Sequence, residues 1–197
     1  MKIIGITGSS GSGKTTLSKI LNMRDDVKVI DADKIVKEMS VPGTEYLNAI
    51  KEKFGETILL EDGNLDRKAL AHKIYNDNKA REDLNKLTFK YVVDEMLARI
   101  KSITLNETEI KIVAIDAPLL FEAGLDKVCD YVVALVADKE LKIKRICQRD
   151  NIDEKTAESR LNIQNEDLFY TEKADFVIIN SKDCNLQTEI DKILKEI

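Results

Sequence analysis

The chain has 197 residues, somewhat more than the roughly 150 of an average domain, with 43% hydrophobic and 34% charged residues. That composition can bury a core and stay in solution, and a net charge of −5 argues against broad binding to nucleic acid or anionic membranes. No apolar run approaches the roughly 18 residues needed to cross a bilayer, and polar residues from Thr7 onward are wrong for a secretory leader. Cys129, Cys147 and Cys184 form no C-x-x-C pair and His72 is the single histidine. Reduced cytoplasmic thiols packed as small hydrophobes are therefore expected, with no zinc site or disulfide framework. His72 reads as structural, and monomer is the default state.

In chain order, Ile3–Thr7 is a nearly continuous apolar run, the pattern of a strand buried on both faces in a parallel sheet. Gly8-Ser9-Ser10-Gly11-Ser12-Gly13-Lys14-Thr15 follows at once and matches G-x-x-x-x-G-K-S/T in full. A helical segment, Lys14–Leu21, comes next, so the motif has the strand-before, helix-after context it requires. Its glycines let successive backbone N–H groups curl toward phosphate oxygens, and the helix N-terminus adds partial positive charge. Lys14 can reach the β- and γ-phosphates, and the Thr15 hydroxyl can ligate Mg²⁺.

A second strand, Val27–Asp31, ends in Asp31-Ala32-Asp33. Carboxyl ends of strands face the ligand crevice in open α/β sheets. Asp33, just past the strand, is the candidate to orient an attacking hydroxyl and accept its proton, with Asp31 supporting the loop. A competing reading has one of the two capping the helix Lys34–Met39. From about residue 40 to 109 the strand rhythm stops and apolar spacing turns helical, as in Phe89, Val92, Val93, Met96, Ile100 and Ile103. Turns are expected at Val41-Pro42-Gly43-Thr44 and Glu61-Asp62-Gly63-Asn64.

The third strand, Lys111–Asp116, closes on Asp116, a position available to Mg²⁺ directly or through water. Ala117-Pro118-Leu119-Leu120-Phe121-Glu122 then forms an apolar turn, either core lining or the wall of an acceptor pocket. Strands Tyr131–Val136 and Phe176–Ile179 flank a charged helical excursion, 139–173. There Arg145 and Arg149 stand i, i+4 on one face, either as a clamp on a transferring phosphoryl group or as a solvated, ion-paired surface. A helix over Leu186–Ile197 ends the chain, with Leu186, Ile190, Ile193, Leu194 and Ile197 on one side.

This alternation predicts an α/β fold: a P-loop, three-layer α/β/α core with a parallel five-stranded sheet, a helical substrate-binding insertion and a helical lid. The expected organisation is a core of 1–39 and 110–197, an insertion of 40–109 and a lid of 139–170 within the core. A guanine-reading N-K-x-D is absent, since Asn78-Lys79-Ala80-Arg81 lacks the Asp. A kinase for a small molecule fits best, one insertion covering the acceptor and the other closing over ATP.

Several segments together resemble the dephospho-CoA kinase family. They are the loop through Thr16, Asp31-Ala32-Asp33-Lys34-Ile35, Pro42-Gly43-Thr44, Phe54-Gly55, Asp62-Gly63-Asn64-Leu65-Asp66-Arg67, Leu84-Asn85 and Asp116–Glu122. Further on come Arg145-Ile146-Cys147-Gln148-Arg149-Asp150, Arg160 with Gln164, and Ala174-Asp175 leading to Asn180. The resemblance implies ATP-dependent phosphorylation of the ribose 3′-hydroxyl of dephospho-CoA. It implies Asp33 as the activating base, Gly8 and residues 11 to 16 (Gly11, Ser12, Gly13, Lys14, Thr15, Thr16) on the ATP phosphates, and Thr15 and Asp116 at the metal. Arg145 and Arg149 would belong to the lid and Asn180 would sit near adenine. Arg67 and Leu119, Leu120, Phe121 and Glu122 would serve the acceptor side. Three departures stand out: Phe89-Lys90 where the family has His-Pro, Lys142 where it has Gln, and Ser9-Ser10 where it often has Gly-Ile. Another small-molecule kinase, for a nucleoside or nucleotide, and a non-catalytic ATP-binding switch are the competing functions.

Overall fold

A computed structural model describes residues 1–75 and 77–197. Its five-stranded sheet contains β1 (Lys2–Thr7), β2 (Val27–Asp31), β3 (Ile112–Asp116), β4 (Tyr131–Val136) and β5 (Phe176–Ile179) in the order β2-β3-β1-β4-β5. The β1–β3, β1–β4 and β4–β5 pairings are parallel. In register, Ile6 stands beside Asp116, Thr7 beside Ala134 and Val136 beside Ile179. The carboxyl ends of β1, β3, β4 and β5 therefore reach one edge of the sheet, where an open α/β fold keeps its crevice.

Burial follows strand position. The five residues of β3 are all buried, and β1 and β4 are buried over most of their length. On the outer strands burial alternates, with Lys28 exposed on β2 and Val177 and Ile179 exposed on β5. On one face Ile4, Ile6, Ala114, Val133, Leu135 and Ile178 pack against α1 (Lys14–Asn22) through Leu17 and Leu21. They also meet α9 (Leu186–Glu196) through Leu186, Ile190 and Ile193, the apolar stripe expected from its spacing. On the other face Leu120 lies directly under Gly5, where a Cβ would meet its Cδ1 at 2.8 Å.

Two compact units form, Met1–Ile30 with Ser102–Ile197, and Asp31–Lys101. The second unit is helical: α2 (Ala32–Met39), α3 (Glu45–Phe54), α4 (Arg67–Tyr75) and the greater part of α5 (Asn78–Asn106). Its core gathers Tyr46, Ile50, Phe54, Ile58 and Leu70, with Val36 and Met39 from α2 packed against them. Ala80, Leu84, Leu87 and Tyr91 of α5 join this core at i, i+4, i+7 and i+11, one stripe of a helix. The first unit carries α6 (Lys139–Asp150), α7 (Glu154–Asn162) and α8 (Asp167–Thr171) between β4 and β5. Among the described residues no helix is long and apolar enough to cross a membrane.

All three cysteines are free thiols. Burial, reinforced by Asp126, Asp130 and Asp175, pushes the Cys129 thiol from its ordinary 9.0 up to about 12. The folded chain thus holds this proton more tightly than the unfolded chain. The associated stability is fully present below about pH 9 and declines as pH climbs from there toward 12. Thermal melts across that alkaline range are expected to fall less steeply for Cys129→Ala than for the wild type.

Candidate active site

The loop after β1 is shaped by backbone that only glycine accommodates. Gly8 has φ 135° and Gly13 has φ 112°, and a Cβ would lie 2.2 Å from Leu135 O at the first and 2.1 Å from Asn180 Nδ2 at the second. Both the dihedral and the close approach require the missing side chain. α1 opens directly on Lys14, and the N–H groups of Thr16 and Leu17 donate to Gly13 O at 3.0 and 3.1 Å.

Four further loop carbonyls, those of Gly8, Ser9, Gly11 and Ser12, take side-chain donors. Lys14 Nζ donates to Gly8 O at 2.6 Å and Ser9 O at 3.0 Å. Arg145 Nη1 donates to Gly11 O at 3.1 Å while its Nη2 reaches Asn180 O at 3.3 Å. The buried Asn180 Nδ2 donates to Ser12 O at 2.7 Å. Ser10 N–H donates to Gln164 Oε1 at 2.7 Å. Ser12 Oγ, itself buried, has no hydrogen-bond partner among the described residues, an orphan of the kind that native structures leave for a ligand or water.

Arg149 touches the loop at Ser10 Oγ, 3.4 Å away, and pairs through Nε and Nη2 with Asp150 at 2.7 and 2.9 Å. Arg160 adds a 3.0 Å bond to the same carboxylate. The Arg149 hydrogen bond, joined by both guanidinium charges, holds the Asp150 carboxyl below its usual range. The two arginines at i, i+4 therefore share a face that meets the loop, and Arg149 is ion-paired there as well.

Asp116 ends β3 beside Ile6, buried, with Oδ2 accepting from Ser18 Oγ at 2.5 Å. Thr15 and Thr16 are exposed in the first turn of α1. In the turn after β3, Leu120 is wholly buried, which leaves Leu119, Phe121 and Glu122 as the members reaching the surface. Phe121 packs edge-on against Phe169 of α8 at 5.8 Å, and Glu122 Oε1 accepts from Asn165 Nδ2 at 2.6 Å.

In the helical unit Asp31 caps α2, its Oδ1 accepting from Lys34 N at 3.0 Å. The cap reading thus holds for Asp31. Asp33 is exposed in the first turn of α2. Arg67 is exposed as the first residue of α4 and lies close enough to the Tyr46 phenol to act on it electrostatically. Burial raises the Tyr46 pKa, against the opposing effects of Thr88 and Arg67. The Asp62–Arg67 run is a turn and a helix start: Asp62 accepts from Asn64, and Asp66 Oδ1 takes the N–H groups of Lys68 and Ala69 at 2.9 and 3.0 Å. His72 is exposed in the last turn of α4.

Contacts that the spacing did not announce are those of Ser9, Lys142 and Asp167. Lys142 stood out only as a departure from a family pattern. Asp167, 25 residues further on, carried no signal because no local periodicity links the two positions.

Sheet order, loop and flanking helices together are those of a P-loop kinase. The family model described as CoaE, dephospho-CoA kinase, matches residues 2–185, and a dephospho-CoA kinase of Moorella thermoacetica is 39% identical over 178 residues, covering 90% of this chain and 83% of that protein. The chain belongs to the dephospho-CoA kinase family. Among solved structures, TT1252 from Thermus thermophilus matches with a TM-score of 0.81 at 24% identity, covering 100% of this chain and 97% of that one. The dephospho-CoA kinase from Campylobacter jejuni matches at 0.69 and 27% identity, covering 98% and 96%.

Removing the Asn180 amide leaves the Ser12 carbonyl without its donor in a buried setting. Asn180→Ala is expected to lower stability by about 1–3 kcal/mol, read as a lower urea midpoint at unchanged slope.

Proposed function

We propose that this chain transfers the γ-phosphoryl group of ATP to the 3′-hydroxyl of the dephospho-CoA ribose, giving CoA and ADP, as a cytoplasmic monomer. Family membership supports the reaction, and one observation carries the nucleotide half of it: the Gly8–Thr15 loop has its carbonyls tied to donors at Gly8, Ser9, Gly11, Ser12 and Gly13. Such a loop presents N–H groups to an anion.

In this reading Gly8, Gly11, Ser12, Gly13, Lys14, Thr15 and Thr16 bind the ATP phosphates and Asn180 borders the adenine. Lys14 adds β- and γ-phosphate oxygens to the loop carbonyls it holds. Arg145 and Arg149, already against the loop, neutralise charge on the transferring group, with 139–170 acting as a lid. The buried Ser12 hydroxyl is available to a ligand oxygen.

Thr15 and Asp116 offer an oxygen-only donor set. That suits Mg²⁺, which takes one or two protein oxygens along with substrate phosphates and retained waters. Among the described residues no group of three or more His, Cys, Asp or Glu could hold a metal, which fits a metal carried chiefly by the nucleotide. When bound, the ion would supply charge neutralisation for the transferring phosphoryl group, with Thr15 and Asp116 as its protein oxygens.

Asp33 accepts the proton of the attacking 3′-hydroxyl. As an exposed carboxylate in the first turn of α2 it is accessible to a substrate, and Asp31 takes the capping role beside it. Arg67, Leu119, Phe121 and Glu122 contact the acceptor, Leu120 anchors their turn, and the helical insertion of 40–109 binds the CoA moiety.

ADP release from Mg²⁺-ATP is expected to require dephospho-CoA, and Asp33→Asn is expected to lower that turnover at least about a hundredfold while leaving ATP affinity intact. Absence of stimulation by dephospho-CoA would overturn the acceptor assignment, and an undiminished mutant would remove Asp33 as base.

A further inference from the structure

Lys142 lies in α6 with only 8% of its side chain exposed. Its ammonium donates to both carboxylate oxygens of Asp167, at 2.8 and 2.9 Å, and to Ser9 Oγ at 3.2 Å. The Ser9 hydroxyl in turn donates to Asp167 Oδ1 at 3.1 Å. An ammonium so withdrawn from water is tolerated only when paired and hydrogen-bonded, and the three groups satisfy one another in a closed ring.

Ser9 joins this ring to the loop's chemistry. It is 1% exposed, and its carbonyl accepts from Lys14 Nζ at 3.0 Å and from Ser12 N at 3.3 Å. One residue thus carries the ring on its side chain and the loop's lysine on its main chain. The backbone of α6 also meets the loop: a Cβ at Gly11 would fall 2.7 Å from Lys142 O.

We infer that Lys142 is a positioning residue for the nucleotide phosphates. With Asp167 as its counter-ion it fixes the Ser9 peptide through Ser9 Oγ, and so sets where Lys14 and the Ser12 N–H stand when phosphate is bound. It acts through Ser9 and does not touch the nucleotide. The inference rests on the reading of Gly8–Thr16 as the ATP phosphate site. If the ion pair only joined α6 to α8, Ser9 would be a bystander and its hydroxyl would be dispensable.

The test is ATP affinity by calorimetry for the wild type, Ser9→Ala, Lys142→Met, Lys142→Arg, Asp167→Asn and the Ser9→Ala/Lys142→Met double variant, with KM for dephospho-CoA measured alongside. Ser9→Ala, which leaves the ion pair whole, is expected to weaken ATP binding about five- to tenfold with KM for the acceptor unchanged. Lys142→Met should weaken it at least as much, the double variant no further, and Lys142→Arg should regain part of the loss. Wild-type affinity in Ser9→Ala would overturn the inference, as would multiplication of the two single effects in the double variant. Should Lys142→Met fail to fold, Ser9→Ala and Asp167→Asn decide the matter alone, the expectation being weaker binding in both. A wild-type chain that bound no ATP would refute the phosphate-site reading itself, a result distinct from normal binding that ignores Ser9.

Discussion

A phosphate site made of backbone N–H groups can work only if the carbonyls of the same peptides are held elsewhere, because a peptide oxygen beside a phosphate repels it and a buried one without a donor is costly. In the loop after β1 the carbonyls of Gly8, Ser9, Gly11 and Ser12 take donors drawn from widely separated parts of the chain. Lys14 holds two carbonyls from within the loop, Arg145 of α6 holds Gly11 O, and Asn180 at the end of β5 holds Ser12 O. The parallel register of β1, β4 and β5 is what brings Asn180, more than 160 residues away in sequence, to hydrogen-bonding distance of Ser12.

The same constraint explains the glycines. At Gly13 the space a Cβ would need is occupied by the Asn180 amide, and at Gly8 by the Leu135 carbonyl. A glycine-rich loop is often described by its freedom to curl. Here the missing side chain at Gly13 also lets the Asn180 amide come close enough to donate to Ser12 O, so flexibility and support have one origin.

Family motif segments divide by physical role. Asp31 and Asp66 cap helices, Asp62 closes a turn, and Asp175 accepts from the Val132 N–H on β4. Each satisfies a backbone N–H, locally for Asp31, Asp62 and Asp66 and across 43 residues for Asp175, and a cap is worth roughly 0.5–2 kcal/mol. Asp33 and Arg67 are exposed as well, without a cap or turn role of this kind. Within the D-A-D segment Asp31 caps the helix, while Asp33 stands exposed in its first turn.

Much of this protein follows from the order of its residues alone. Strand and helix periodicities are local properties, so the five strands, α1 and α9 stood near their final bounds in the sequence, as did the glycine-rich loop, whose backbone shape the glycine spacing encodes. The apolar run of β5 could not announce an edge position, because hydrophobicity does not say how many neighbours a strand has; Val177 and Ile179 are exposed there. Nor could spacing decide whether Arg145 and Arg149 faced solvent or the loop. That choice, and the ring of Ser9, Lys142 and Asp167, was made only by the fold. Pairings across 25 to 158 residues depend on which surfaces the sheet and its crossover helices bring together, and burial of an ammonium is affordable only where that assembly delivers a carboxylate to meet it.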